Sequence, residues 1–165
     1  MVDELWQICI VMNNIYDYII ISSKHVEEIY SKKLKYIMDN WRKKYHSTFY
    51  ATCKLKHYSC YWHIFAKETA KSYRLDKADR MFVKANKEHV YVVSTNVKLP
   101  FLVCDNLNIN NEKAVIDLKK SLFCNMAYAD IYIFDENYKW TYVITHDEYD
   151  GVGPYYAEAA DYSAQ

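Results

Sequence analysis

The stretch from Asp130 to His146 reads DIYIFDENYKWTYVITH, and it decides the fold. Its two outer parts, DIYIFD and WTYVITH, are rich in β-branched and aromatic residues, which is the usual composition of strands. The four residues ENYK between them have the length of a hairpin connection. The sequence therefore predicts two adjacent strands in the C-terminal half of the chain.

The segments before this stretch extend the pattern. HVYVVS (89–94) and PFLVC (100–104) are two more short strand-like runs, with TNVKL between them as a turn. Asn110 or Asn111 is suited to cap a helix over 112–126, because Asn accepts hydrogen bonds from the free N–H groups of a first helical turn. The C-terminal half is thus predicted as β-β-α-β-β.

The N-terminal half has helical spacing instead. Apolar residues recur every three or four positions over 3–20, from Val26 to Trp41 and over 58–72, and Asp76 is predicted to cap a short fourth helix. Helices followed by strands indicate an α+β domain, with the N-terminal helices packed on one face of a mainly antiparallel sheet. A length of 165 residues fits a single domain over 1–165.

Charge is distributed unevenly although the formal net charge is zero. Residues 1–88 carry 16 Lys and Arg against 10 Asp and Glu, whereas residues 89–165 carry 5 against 11. The basic excess is concentrated between Lys24 and Lys56. Either two solvated faces of opposite sign neutralise each other within the fold, or a dipolar surface steers a charged partner.

The cysteines and the N-terminus indicate the compartment. Five cysteines at irregular spacing show no disulfide framework, which favours a reducing, cytoplasmic setting. The apolar N-terminus carries Asp3 and Glu4 where a signal peptide needs basic residues, and Asn13 and Asn14 interrupt it. We therefore predict neither a signal peptide nor a membrane span.

Cys53, His57, Cys60 and His63 form a C-x3-H-x2-C-x2-H pattern that raises the question of zinc. The spacing argues against a metal, because one straight helix cannot surround a tetrahedral ion and standard zinc modules separate their ligand pairs further. We predict no metal and no cofactor. His63, beside Trp62, is interpreted as a hydrogen-bonded structural histidine.

The end of the decisive stretch holds the second candidate site. His146 closes a strand and is followed by Asp147 and Glu148, an arrangement that could orient a general base. No nucleophile motif, phosphate loop or metalloprotease motif accompanies it, so no catalytic residue is assigned. The alternative is a polar strand end with solvated acids.

Both glycines of the chain lie just beyond, in DGVGPYY. Glycine permits positive φ or a close backbone approach, and Gly153 precedes Pro154 in what reads as a turn. The turn would carry Tyr155 and Tyr156 back to the sheet or display them to a partner.

These motifs resemble a family of small bacterial proteins of unknown function. Its members carry a Leu-Trp-His-Ile/Leu-Phe helix motif, here YWHIF, and a Trp-Thr-Tyr/Phe-Val-x-Thr-His-Glu strand followed by Gly-Pro-Tyr-Phe. The resemblance covers residues 24–157 and marks residues 1–22 as an added N-terminal helix. It implies that the positions to examine are Trp62, His63, Trp140, Thr141, Thr145, His146, Gly153, Pro154 and Tyr155. Tyr61, Asp147 and Tyr156 depart from the family pattern.

Three functional hypotheses remain open. The first is a small non-enzymatic cytoplasmic protein that binds and inhibits another macromolecule, as immunity proteins and phage counter-defence inhibitors do, in a bacterial cell or a phage-infected host. Its partner would be a toxin, a nuclease or a defence-system component. The second is a small enzyme or ligand-binding protein that uses His63 and His146 with Asp147 or Glu148. The third is nucleic-acid binding through Lys24–Lys56, where Tyr30, Tyr36, Trp41 and Tyr45 are interleaved.

Overall fold

The structure of the protein is a computed structural model that describes residues 15–29, 32–45, 61–66, 71–95, 101–123 and 129–159. In these ranges the helices are α1 (Ile15–Ser22), α2 (Lys32–Tyr45), α3 (His63–Ala66), α4 (Asp76–Lys84) and α5 (Glu112–Phe123). The strands are β1 (His25–Ile29), β2 (Tyr73–Arg74), β3 (His89–Ser94), β4 (Phe101–Asp105), β5 (Ile131–Asp135), β6 (Trp140–Ile144) and β7 (Tyr155–Glu158).

The seven strands form one sheet in the order β1-β4-β3-β5-β6-β7-β2, and every neighbouring pair is antiparallel. The strands predicted from DIYIFD and WTYVITH are β5 and β6, in which Ile131 pairs with Ile144 and Phe134 with Thr141. The predicted α+β class and the mainly antiparallel sheet are confirmed.

The helices cover both faces of the sheet, which corrects the expectation that they lie on one. Strands β5 and β6 are buried at every position, so each face of the sheet needs a cover. On one face, α1, α4 and α5 pack over a cluster that we call the aliphatic layer; from the sheet it contains Val90, Val92, Leu102, Cys104, Ile131, Ile133, Trp140, Tyr142, Ile144 and Tyr156. On the other, α2 and α3 pack over what we call the aromatic layer; from the sheet it contains Val93, Phe101, Tyr132, Phe134, Val143, Tyr155 and Ala157.

Two predicted helices differ from the structure. The helix expected from Val26 to Trp41 begins only at Lys32, because residues 25–29 form an edge strand on β4, with Ile29 opposite Phe101. Val26 and Ile29 are β-branched, and pairing with the open edge of β4 outweighs their helical spacing. Of the predicted helix over 58–72, the described residues contain helix only at His63–Ala66.

The other predicted helices are present where they are described, but Asp76 is the first residue of α4 rather than its cap: Leu75 occupies the N-cap position and no described side chain caps the helix. Helix α5 begins after Asn111, whose side-chain oxygen accepts a hydrogen bond from the Ala114 N–H at 2.9 Å. Residues 124–126, the end of its predicted range, lie outside the described residues. The helix predicted over 3–20 is described only from Ile15, and Ile15 and Ile19 are fully buried in the aliphatic layer. Across the ranges described, none of the helices is long and apolar enough to cross a membrane.

Candidate functional site at the Asp130–His146 pair

The candidate site is built around Asp130, the residue before β5. Its carboxylate is buried, with 1% of the side chain exposed. One oxygen accepts a hydrogen bond from the backbone N–H of His146 at 2.9 Å, and the other accepts from the indole N–H of Trp62 at 3.0 Å. Burial raises the pKa of Asp130, and the hydrogen bonds from His146 and Trp62 oppose that rise.

His146 lies between two carboxylates. Its Nδ1 is 2.7 Å from the Asp130 carboxylate, and its Nε2 is 3.4 Å from Asp147 Oδ1. An ionised Asp130 can only accept hydrogen bonds. It therefore favours the state of the imidazole in which Nδ1 carries a proton and donates it to the carboxylate. The ring is therefore held in one orientation while 34% of the side chain stays exposed.

Trp62 joins this pair to the aromatic layer. Its backbone N–H donates to the Tyr132 hydroxyl at 3.2 Å, and its indole is stacked on Tyr155 with ring centroids 6.1 Å apart. The indole also meets His63 edge to face at 4.2 Å and His146 at 6.3 Å. The YWHIF and WTYVITH segments thus meet at the carboxylate of Asp130, which is 68 residues from Trp62 and 16 from His146.

The loop from Thr145 to Pro154, which we call the signature loop, leaves the sheet at this point. Its two ends are tied together because the Thr145 hydroxyl donates to the Val152 carbonyl. Gly153 has φ of +88°, and its peptide bond to Pro154 is cis. Inside the loop a short 3-10 turn spans Glu148–Asp150.

Glu148 points toward the aliphatic layer rather than toward His146. Its carboxylate lies 3.0 Å from Lys119 Nζ, which is also 2.6 Å from Asp79, and Asp79 accepts the hydroxyl of Tyr142 at 2.6 Å. Burial raises the pKa of Glu148, against the lowering effect of Lys119. Of the two acids that follow His146, the structure therefore places only Asp147 beside its imidazole.

Most of the other predicted site residues are interior. The buried ones are Trp62, Trp140, Thr141, Gly153, Pro154, Tyr155 and Tyr156. Trp140 and Tyr156 pack in the aliphatic layer and Trp62 and Tyr155 in the aromatic layer. Thr141 accepts the Trp41 indole N–H at 3.0 Å. The groups that reach the surface are His63, His146 and Asp147, each partly exposed.

The metal question concerns residues that are mostly not described. Cys53, His57 and Cys60 lie outside the described residues. Among the side chains that are described, no group of three or more His, Cys, Asp and Glu residues is arranged to hold a metal ion. Four cavities of about 290 to 500 Å³ open on the described surface, and His63 and His146 line none of these four.

Sequence reasoning did not single out Asp130, the centre of the site. A usable signal was present, because the pairing of Ile131 with Ile144 places Asp130 across from Thr145. This acid comes immediately before a strand that is buried at every residue, so its carboxylate needs hydrogen-bond donors. The nearest donors along the neighbouring strand are at the start of the signature loop.

Comparison with known proteins gives one match. A family model described as a domain of unknown function, DUF4275, matches residues 12–156. The sequence alone had placed the family-like core at 24–157, so the matched region begins earlier. No curated protein and no solved structure matches the chain.

Proposed function

The chain belongs to the DUF4275 family, and we propose that it is a small non-enzymatic interaction protein that binds and inhibits another macromolecule. The observation that supports this function is the signature loop. Its shape is fixed by contacts with the fold, whereas Asp150 is exposed and Asp147 is partly exposed beside the imidazole of His146. A loop on a rigid scaffold is a common position for binding residues.

Three independent contacts fix this loop. His146 bonds to Asp130, Thr145 bonds to Val152, and Glu148 bonds to Lys119. A loop that is already ordered loses little conformational freedom when a partner binds, so more of the contact energy appears as affinity.

The charge of the loop indicates the kind of partner. From residue 141 to the C-terminus there are five acids and no Lys or Arg. Because Asp147 and Asp150 are the solvent-facing acids of the loop, the matching surface is basic, as on a nuclease or another protein that handles nucleic acid. We propose that the partner is a toxin, a nuclease or a defence-system component of this kind, encountered in the cytoplasm.

The test uses the loop acids directly. Asp147→Asn combined with Asp150→Asn removes two exposed charges and leaves the buried contacts of Asp130 and Glu148 intact. We expect a partner that co-purifies stoichiometrically from the natural host cell and that binds the double variant at least about tenfold more weakly in isothermal titration. Lys113→Gln with Lys120→Gln, two exposed residues on α5, is the matched control. A partner affinity that the loop variant leaves unchanged would count against this function.

The alternative function, a small enzyme or ligand-binding protein, is favoured by one observation. His146 is oriented by the buried Asp130 at 2.7 Å with its other nitrogen toward the surface, which is the arrangement of a general base. Nitrophenyl esters and phosphates are suitable model substrates. Turnover that exceeds that of His146→Gln would support catalysis, and equal rates for the two proteins would remove it.

A further inference from the structure

Helix α2 separates cleanly into a buried and a basic face. Ile37, Met38, Trp41 and Tyr45 are buried in the aromatic layer. Trp41 and Tyr45, which the sequence pattern had interleaved with the lysines, are therefore unavailable to a partner. Between Lys32 and Tyr45 the helix contains six Lys and Arg and a single acid, Asp39.

The outward face carries an exposed aromatic ring among these cations. Tyr36 is 67% exposed, and Lys33, Lys35, Lys43 and Lys44 are exposed around it. Positions 33, 36, 40 and 44 follow one another at intervals of three and four residues, so they form one stripe along the helix. From Lys33 to Lys44 the stripe is about 16 Å long.

Two further tyrosines line the sheet side of this stripe. Asn40 hydrogen-bonds to Tyr138, and the Tyr91 and Tyr138 rings are 6.3 Å apart. Burial raises the pKa of the Tyr91 and Tyr138 hydroxyls, and a smaller electrostatic effect of Tyr36 adds to the rise in each case. We call the combined surface the basic–tyrosine seam; it comprises Lys33, Tyr36, Asn40, Lys43, Lys44, Tyr91, Tyr138 and Lys139.

A cavity opens at one end of the seam. It has a volume of about 500 Å³ and is lined by Lys44 and Lys139 together with Tyr138, Trp140 and Tyr156. Glu158 also lines it, and Glu136 acts electrostatically on Tyr91, so two acids border the seam.

We propose that the basic–tyrosine seam binds single-stranded nucleic acid. Lysines spaced along a stripe match successive phosphates, and the exposed ring of Tyr36 offers a face on which a base stacks, beside the partly buried Tyr91 and Tyr138. An acidic protein surface would use the lysines but has no general need for stackable rings, so the combination favours the nucleic acid. The seam lies on α2, β3 and the β5–β6 turn, so this proposal is independent of the function assigned to the signature loop.

The test is fluorescence anisotropy with labelled oligothymidylate and oligouridylate of about 12 nucleotides, which is within the usual site size for such surfaces. We expect binding in the micromolar range at low salt, with an affinity that falls as salt is added. Tyr36→Ala is expected to weaken binding by about tenfold through the loss of stacking. Lys43→Gln with Lys44→Gln is expected to lower the slope of log affinity against log salt by about 1.4, because each single-strand phosphate contact contributes about 0.7.

The side chains changed in these variants are exposed, so the variants keep the fold, and circular dichroism and the melting temperature verify this. Lys113→Gln with Lys120→Gln controls for net charge, and the Asp147/Asp150 variant is expected to bind the oligonucleotides as the unaltered protein does. If neither oligonucleotide binds at low salt, the proposal is overturned. Binding that depends on Lys43 and Lys44 but not on Tyr36 would also overturn it, in favour of an acidic protein surface.

Discussion

The two layers that sandwich the sheet are built from different residues. Among the residues that the structure describes, nine of the fifteen buried in the aromatic layer carry aromatic rings, against five of twenty in the aliphatic layer. Aliphatic side chains fill space without directional bonds, whereas Trp and Tyr carry an N–H or O–H that needs a partner when buried. The aromatic layer therefore has to be fixed in orientation as well as in volume.

Its hydrogen bonds show how this is done. The Trp41 indole donates to Thr141, the Tyr45 hydroxyl to the Tyr138 carbonyl, and the Trp62 indole to Asp130. The aliphatic layer has fewer aromatic donors, but they are bonded in the same way: the Tyr142 hydroxyl donates to Asp79 and the Trp140 indole to the Asn86 carbonyl. Lys119 lies between Asp79 and Glu148. The candidate site lies where the Trp62 donor of the aromatic layer meets Asp130.

The comparison is tested most strongly by removing one carboxylate from each layer. In the wild-type protein the Asp130 carboxylate accepts hydrogen bonds from both Trp62 and His146. Asp130→Asn replaces it with an amide whose NH2 group must face one of these two donors. Because this leaves buried donors unpaired, we expect a loss of about 3–5 kcal/mol in the free energy of unfolding. Asp79→Asn keeps an acceptor for the Tyr142 hydroxyl, and Glu148 still pairs with Lys119, so the expected loss is about 1–2 kcal/mol.

Urea unfolding of both variants measures the difference, with Asp150→Asn as an exposed control. Equal losses for Asp130→Asn and Asp79→Asn would show that the two layers depend on their polar groups to the same degree. The distinction drawn between them would then be wrong.

The sequence predicted four adjacent strands of the sheet, β3 to β6, because these strands carry local signals. β5 and β6 are short β-branched and aromatic runs joined by a hairpin-length turn, and Asn111 is a capping residue at the start of α5. Such signals depend on neighbours in the chain, so they can be read without the fold.

The parts that were not predicted depend on distant contacts. β1 forms because β4 offers an open edge, which the helical spacing of Val26 and Ile29 does not reveal. The site residue Asp130 becomes visible only when strand register and Trp62 are considered together. Glu148 follows His146 by two residues yet turns to the opposite layer, where Lys119 is, and no local pattern encodes that choice.

The signature loop connects the two layers, because His146 lies on the aromatic side and Glu148 on the aliphatic side. The two glycines of the loop are a matched pair of positions for testing that connection. Gly153 has φ of +88°, and a methyl group added there would lie 3.0 Å from Thr145 Oγ1. Gly151 has φ of +76° with nothing within 4 Å of such a methyl group. We expect Gly153→Ala to cost about 3 kcal/mol, from backbone strain and overpacking, and Gly151→Ala about 1 kcal/mol from strain alone.

Thermal or urea unfolding measures both costs, and the NMR signals of the His146 ring report whether its bond to Asp130 survives. We expect those signals to move in Gly153→Ala and to stay in place in Gly151→Ala. If the two variants lose the same stability, the close approach of Gly153 to Thr145 does not contribute to holding the loop.

The smallest expected effect concerns the buried Lys87 of the aliphatic side, whose ammonium donates to the Val83 and Ala85 carbonyls at 3.1 and 3.0 Å and lies over the Phe82 ring. Burial lowers the pKa of Lys87 to about 8.

Between pH 8 and the ordinary lysine pKa of 10.5, the unfolded chain holds this proton more often than the folded chain does. Lys87 therefore makes stability rise with pH across that window, by at most about 1.4 kcal/mol per pH unit. Burial also raises the pKa of Cys104 to about 11, which acts in the opposite direction in the same window.

The difference between two proteins that both contain Cys104 isolates the effect of the lysine on stability. The measurement is urea unfolding of each protein between about pH 8 and 9.5. We expect the free energy of unfolding of the unaltered protein to rise relative to that of Lys87→Met as the pH is raised. The same difference measured against the exposed control Lys84→Met is expected to stay constant. A constant difference for Lys87→Met would mean that its ammonium is solvated, and the aliphatic layer would then contain no buried cation at this margin.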